Sequence, residues 1–201
     1  MKSYIDIYND YRDNIYTCAE KEYSWYKKAN ILRDAVKKAF RSEDEQEKVH
    51  RHQCRVGRQC LALAVEISLE YFDGHYISSF ENFHSIYQFV DSVSDEVKGF
   101  GQLATYDVAL HITKYLGCEL QKVYIHAGVT IGSRALGFNV KDGDIIPVEE
   151  FTVPFNQLSG DHLENLLCIY KEVLANSIAE VGKTCICPKT NSSCISKNGC
   201  A

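Results

Sequence analysis

The sequence predicts an all-α fold, with one helical domain over residues 1–182 and a cysteine-rich tail over 183–201. Its three prolines all follow residue 146, so no residue before that point prevents a helix. Apolar residues recur every three or four positions along much of the chain, which is the spacing of one helix face. With 201 residues, 45% of them hydrophobic, the chain is long enough to bury a sizeable core.

The first helices follow from this periodicity. Two amphipathic helices are predicted within residues 4–40, with a break between Cys18 and Lys27. The charged run 41–48 is either a solvated loop or an exposed helix end. Residues 59–72 are apolar on nearly every side, which predicts a buried central helix.

The later elements are predicted from helix-capping and turn residues. Ser78 and Glu81 have the spacing of a capping box, so a helix is expected to begin there. Residues 139–158 contain a Lys-Asp-Gly turn and two prolines, which predicts an irregular segment with a short extended hairpin. Ser159 is the expected cap of a final helix.

Charge and hydropathy restrict the partners. The formal net charge is −5, so any surface for nucleic acid must come from a local cluster of Lys and Arg. No stretch of the sequence reaches the roughly 20 apolar residues that span a bilayer, and residues 1–13 are too polar for a signal-peptide core. We therefore expect a cytoplasmic protein without a membrane partner.

The most informative stretch is 90–117, where Gly99-Phe100-Gly101 joins two apolar helical patterns. Two glycines around one apolar residue suit a tight turn, because glycine reaches positive φ and Phe100 can be buried to hold the turn. Backbone N–H groups at the start of the second helix then face outward, where the helix dipole favours an anion. Lys98 and Lys114 are expected to add positive charge.

This pattern resembles the helix-hairpin-helix family, in which an apolar residue and Gly-apolar-Gly precede a helix with small residues on its packing face. The residues that match are Val97, Gly99, Phe100, Gly101, Ala104 and Ala109. The resemblance implies binding of nucleic-acid backbone, DNA more than RNA, through contacts that position a duplex without reading its bases. The alternative is that the turn only connects two packed helices.

A more distant resemblance, over about residues 80–138, is to helix-hairpin-helix DNA glycosylases. In those enzymes a Val-Asp-x-His segment follows the hairpin and its aspartate performs the chemistry. Here the segment is Val123-Tyr124-Ile125-His126, with a tyrosine in place of the aspartate. A phenol assists glycosidic-bond cleavage poorly at neutral pH, so the resemblance implies a related fold more than a related activity. Asp107, Tyr124 and His126 are the candidate catalytic residues.

The densest positive cluster is residues 48–58. On a helix, Arg51, Arg55 and Arg58 would form one stripe, since their spacings are four and three. Such a stripe can clamp phosphates with bidentate forks. The alternative is a solvated face paired with the nearby acidic residues.

Two glycines, Gly128 and Gly132, lie in the run Ala127–Arg134. They either let the backbone approach a ligand, with Arg134 as a further nucleic-acid contact, or allow close helix packing.

The histidines do not predict a metal site. His50 and His52 are two residues apart, which is not the spacing of two metal ligands on one helix. His111 is among the scattered histidines expected to be structural or exposed.

Four cysteines crowd into the end of the chain: Cys185, Cys187, Cys194 and Cys200. Four thiolates satisfy a Zn²⁺ ion or an iron–sulfur cluster. Two of the intervals resemble those of a four-cysteine cluster in some helix-hairpin-helix glycosylases, although a Cys-x-Cys replaces the close middle pair. The alternative is a tail of reduced thiols.

Three functions remain open on the sequence alone. The best supported is a nucleic-acid-binding protein that contacts the phosphate backbone with little sequence preference. The second is an enzyme acting on a nucleobase or nucleoside, with a pocket near Tyr124, His126, Asp107 and Arg134. The third is a protein interaction module in which the hairpin is purely structural.

Overall fold

A computed structural model describes residues 3–76 and 80–175, and it confirms the predicted all-α fold. The α-helices are α1 (Tyr4–Tyr11), α2 (Thr17–Tyr26), α3 (Leu32–Arg41), α4 (Arg58–Tyr71), α5 (Phe83–Glu96), α6 (Gln102–Tyr115), α7 (Ala127–Ala135), α8 (Gly160–Ile169) and α9 (Lys171–Ala175). Shorter helical turns are the π-helical Arg12–Tyr16 and Phe72–Tyr76, and the 3₁₀ turns Arg51–Arg55, Val148–Glu150 and Phe155–Gln157. Strands β1 (Lys122–Tyr124) and β2 (Ile145–Pro147) form a small antiparallel sheet.

The described residues form two compact units. The terminal unit consists of residues 3–20 and 119–175, so it joins the two ends of the described chain. The central unit consists of residues 21–76 and 80–118. The boundary predicted at residue 182 lies outside the described residues.

In the terminal unit, β1 and β2 pair with Val123 opposite Ile146, and α7 packs against α8 and α9. Alternate residues of β1 point inward, so Val123 is buried while Lys122 is exposed. The core is made mainly of aliphatic and aromatic side chains, among them Ile7, Tyr11, Val123, Ile125, Val129, Phe151, Phe155, Leu163 and Leu167.

In the central unit, α3 packs against α4 and α6, and α5 packs against α6. The buried face of α3 carries Ala35, Val36, Ala39 and Phe40, which have helical spacing. The Phe40 ring centroid lies 6.1 Å from that of Phe89 on α5 and 5.9 Å from that of Phe100. Aromatic packing therefore links α3 to α5 and to the turn that follows α5.

The structure refines two predictions near the N-terminus. The chain is helical from Tyr4 through the π-helical turn to Tyr26, so the break falls directly after Tyr26, at the end of the range predicted for it. Helix α3 ends at Arg41, and residues 42–48 form a loop held by a β-bridge between Glu43 and Val49.

The helix predicted to begin at Ser78 begins later. Ser78 lies outside the described residues, and α5 begins at Phe83 with Asn82 as its cap. The Asn82 side chain accepts a hydrogen bond from the Ser85 amide at 3.1 Å, and the Ser85 hydroxyl oxygen accepts one from the Asn82 amide. The capping box is thus present four residues further along the chain.

The prediction of a fully buried central helix is wrong. Helix α4 buries one face, which includes Leu61, Ala64 and Val65, while Leu63 is exposed. An apolar residue on a protein surface is common, so apolar composition alone did not establish burial.

The irregular segment at 139–158 is confirmed, although its extended part does not form a hairpin within the segment. Strand β2 pairs with β1, and helix α7 lies between these two strands in the chain. Within residues 3–76 and 80–175, none of the helices has both the length and the apolar character needed to cross a membrane.

Candidate anion-binding site at a glycine turn

The glycine turn, residues 97–101, joins α5 to α6 in the central unit. Its apolar residues Val97 and Phe100 are buried, whereas Lys98, Gly99 and Gly101 are exposed. Gly99 has a φ of +97°, which residues with a Cβ rarely adopt, so the turn requires glycine there. Gly101 has a φ of −93° and serves as the N-cap of α6.

Internal contacts hold the glycine turn in one shape. The Phe100 amide donates to the Val97 carbonyl oxygen at 3.0 Å, and the Ser94 hydroxyl donates to the Phe100 carbonyl oxygen at 2.8 Å. The Phe100 side chain is 4% exposed and packs against Phe40. These contacts fix the direction in which the following amides point.

The first turn of α6 presents unpaired amides. The Thr105 amide donates to the Gly101 carbonyl oxygen, so the amides of residues 102–104 precede the first bond within the helix. In the described part of the chain, these three amides and that of Gly101 have no acceptor, and no side chain caps α6. Such N–H groups at the positive end of the helix dipole favour an anion.

A cleft of about 500 Å³ opens at this helix start. Its lining consists of Gln53, Arg55, Val56, Gly99, Gly101, Gln102, Leu103 and Ala104. Arg55, exposed at the end of the 3₁₀ turn, is the one charged residue among them. The cleft therefore combines main-chain donors with a guanidinium group, and its described lining residues include no acidic side chain.

Gln53 forms a buried wall of this cleft, with 1% of its surface exposed. Its Nε2 donates to Asp107 Oδ2 at 2.5 Å, while its Oε1 has no hydrogen-bond partner within the described residues. Asp107, predicted as a catalytic candidate, here holds the amide of Gln53.

The two lysines predicted to support the turn are placed differently. Lys98 is exposed directly beside the glycines. Lys114 lies in the last turn of α6, about 20 Å along the helix from its start at 1.5 Å per residue. It is 7% exposed, and its Nζ lies 4.6 Å from the centroid of the Tyr23 ring. The structure therefore does not bring Lys114 to the glycine turn.

The predicted arginine stripe is wrong because its residues do not share one helix. The 3₁₀ turn ends at Arg55, Gly57 has a φ of +84°, and α4 begins at Arg58. Arg55 lines the cleft, and Arg58 is exposed but is not part of the lining. The side chain of Arg51 lies outside the described part of the structure.

The residues predicted for an enzyme pocket are engaged in internal contacts. His126 is buried at the start of α7, with its Nε2 2.6 Å from Glu164 Oε1. Arg134 donates from Nε and Nη2 to the Val140 carbonyl oxygen at 2.9 and 2.6 Å. Tyr124, half-buried at the end of β1, belongs with them to the terminal unit, whereas Asp107 belongs to the central unit.

The glycines of the run Ala127–Arg134 serve helix packing. A Cβ at Gly128 would lie 2.7 Å from the Cys168 sulfur, and one at Gly132 would collide with the Leu167 carbonyl group. Both neighbours belong to α8. Of the two interpretations of this run, close packing is the one that the structure supports.

A second cluster in the central unit is not indicated by any local sequence pattern. It consists of Glu22 of α2, His50, and His111 of α6. Glu22 Oε1 lies 3.6 Å from His50 Nδ1 and 3.5 Å from His111 Nε2. Burial lowers the pKa of His50, which favours its neutral imidazole. The three residues are far apart in the chain, and no local spacing reveals them.

The predicted thiolate site at Cys185, Cys187, Cys194 and Cys200 lies outside the described residues. A bound Zn²⁺ ion or iron–sulfur cluster in the tail therefore stays a prediction from the sequence.

Comparisons of this chain with protein-family models, with curated proteins and with solved structures find no match. The resemblance to helix-hairpin-helix proteins stays a prediction that depends on the residues of the 90–117 stretch. Functional conclusions for this chain depend on the geometry of its own residues.

Proposed function

We propose that the central unit binds the phosphate backbone of nucleic acid at the cleft beside the glycine turn. The observation that carries this proposal is the presence of the unpaired amides of α6 and the exposed Arg55 side chain in the lining of one cleft. Amides at a helix start and a guanidinium group both bind phosphate oxygens, and a planar guanidinium does so with two parallel hydrogen bonds.

The surroundings of the cleft favour a polymer backbone as the ligand. Lys98 is exposed on the turn itself and Arg58 at the start of α4, so positive charge extends beyond the cleft. These groups contact phosphates and carry no information about bases, which predicts little sequence preference. The resemblance to helix-hairpin-helix proteins adds support for DNA over RNA.

The test is a titration of labelled nucleic acid with the full chain, followed by fluorescence anisotropy at several salt concentrations. Two duplexes of unrelated sequence and matched single strands of DNA and RNA serve as probes. The double variant Lys98→Glu/Gly101→Glu removes the positive charge and places a carboxylate where a phosphate is expected. The matched control is Lys27→Glu/Asn30→Glu, which changes the net charge equally at exposed positions of the same unit.

We expect the two duplexes to bind with equal affinity and the Lys98→Glu/Gly101→Glu variant to lose binding at low salt. The control variant should retain it. The variant Arg55→Gln should lower the slope of log K against log salt by about 1, because one phosphate contact is removed. Equal affinities of the double variant and the wild type would contradict the proposal and favour a purely structural turn.

A further inference from the structure

We propose that Glu22, His50 and His111 bind a divalent transition-metal ion of the Zn²⁺ type, at a site separate from the phosphate cleft. One oxygen and two nitrogen atoms of these side chains lie within 4.8 Å of one another. Two imidazoles and one carboxylate are a ligand set found in catalytic zinc sites and in non-haem iron sites.

The spacing of the three ligand atoms fits an ion better than it fits direct hydrogen bonds. Glu22 Oε1 is 3.6 Å from His50 Nδ1 and 3.5 Å from His111 Nε2. An N–H···O hydrogen bond is usually about 2.7–3.2 Å long. Tetrahedral ligands at about 2.0–2.2 Å from Zn²⁺ lie about 3.3–3.6 Å from each other, which agrees with both distances.

The neighbour of His50 directs its free nitrogen toward Glu22. His50 Nε2 lies 2.7 Å from the Tyr26 hydroxyl oxygen, and the Tyr26 hydroxyl donates to the Glu43 carbonyl oxygen at 3.4 Å. In the metal-bound state that we propose, Tyr26 Oη accepts from His50 Nε2–H and the lone pair of the imidazole is on Nδ1. That lone pair faces a carboxylate oxygen, an arrangement that a cation between them stabilises.

His111 is positioned by the same tyrosine. The two rings stack with their centroids 3.8 Å apart and an interplanar angle of 9°. His111 is buried, its Nε2 faces Glu22, and its Nδ1 has no hydrogen-bond partner within the described residues. A buried imidazole without a hydrogen bond at Nδ1 contributes little to stability, which favours a role for its other nitrogen as a ligand.

The site is open to solvent on one side. The side chain of Glu22 is 42% exposed, whereas those of His50 and His111 are 17% and 5% exposed. Three protein ligands leave a fourth tetrahedral position for water or a substrate oxygen. The ion would thus be accessible, with the rigid part of its site formed by the two imidazoles and Tyr26.

The test measures Zn²⁺ and Co²⁺ binding by the full chain in which Cys185, Cys187, Cys194 and Cys200 are replaced by serine. This background removes the competing thiolates of the tail. Calorimetry gives the Zn²⁺ affinity, and the Co²⁺ absorption spectrum reports tetrahedral nitrogen and oxygen ligands by the absence of a thiolate charge-transfer band. The variants are Glu22→Gln, His50→Asn and Tyr26→Phe, with exposed Glu66→Gln and His84→Asn as matched controls.

We expect one Zn²⁺ per chain. Glu22→Gln and His50→Asn should each weaken it by more than about 100-fold, beyond the 10- to 100-fold that outer partners usually contribute. Tyr26→Phe keeps the stacked ring and removes the hydroxyl, so it should weaken binding by about 10- to 100-fold. Circular dichroism checks that each variant is folded.

Two results would overturn the proposal. One is the absence of Zn²⁺ binding in the chain that lacks the four tail cysteines, which would assign any metal to the tail. The other is an affinity that folded Glu22→Gln and His50→Asn variants retain to the same extent as the two control variants.

Discussion

Gly132 of the terminal unit and Gly101 of the central unit both lie at helices, and they have opposite surroundings. A Cβ at Gly132 would collide with the backbone of α8, because α7 packs closely there. A Cβ at Gly101 would meet no atom within 4 Å in the described residues. Glycine permits close contact with another helix in the first case, and leaves space for a ligand in the second.

The histidines show the same difference. In the terminal unit, His162 lies 2.8 Å from the Tyr11 hydroxyl through Nδ1 and 3.0 Å from Glu20 Oε1 through Nε2. In the central unit, His50 and His111 face Glu22 across distances longer than a hydrogen bond. A tyrosine stacks on a histidine in both units. Both ring nitrogens of His162 thus have partners at hydrogen-bond distance, whereas His50 and His111 each have one nitrogen that faces Glu22 at a longer distance.

The largest expected effect on stability comes from adding a methyl group at Gly132. Gly132→Ala should lower the free energy of unfolding by about 3 kcal/mol, because the new methyl group meets a main-chain carbonyl that cannot rotate away. The helix propensity of alanine offsets this by only about 1 kcal/mol. Urea denaturation followed by circular dichroism measures the difference. A Gly132→Ala protein as stable as the wild type would refute the close packing of α7 on α8.

Replacing one histidine in each unit should show the difference in stability between an imidazole with two hydrogen bonds and one whose Nδ1 has no partner in the described residues. His162→Phe keeps the stack on Tyr16 and removes both hydrogen bonds, so it should cost about 2 kcal/mol. His111→Phe keeps the stack on Tyr26 and removes a nitrogen without a partner, so its effect in metal-free buffer should be below about 0.5 kcal/mol. Equal losses in the two variants would show that the two imidazoles are equivalent.

The smallest effect is expected at the glycine turn. Gly99→Ala should lower the free energy of unfolding by about 1 kcal/mol, because its φ of +97° strains a residue with a Cβ. Gly101→Ala should change it by less than about 0.5 kcal/mol, since its φ is −93° and the space around it is open. Thermal melts of the two variants side by side provide the measurement. A larger loss of stability for Gly101→Ala than for Gly99→Ala would contradict the assignment of the strained position to Gly99.

Local patterns were sufficient to predict the helices and the glycine turn. The periodicity of apolar residues gave the all-α fold, and Gly99-Phe100-Gly101 gave a tight turn with a buried phenylalanine. Both features depend on residues that are neighbours in the chain.

Features that depend on distant residues were not predictable. Glu22, His50 and His111 meet only because α2 and α6 pack in the same unit, and β1 pairs with β2 across an intervening helix. The arginine stripe failed because Val56 and Gly57 separate the 3₁₀ turn that ends at Arg55 from α4, which begins at Arg58. A helical spacing predicts a shared face only where one helix continues.

The short segment from His50 to Val56 contributes to both proposed sites. It provides His50 beside Glu22, and it provides Gln53, Arg55 and Val56 to the cleft. If both proposals hold, the two ligands are held by one segment of the chain. Any coupling between the proposed sites is then reciprocal, because linkage requires the factor by which the ion changes phosphate affinity to equal the factor by which phosphate changes ion affinity.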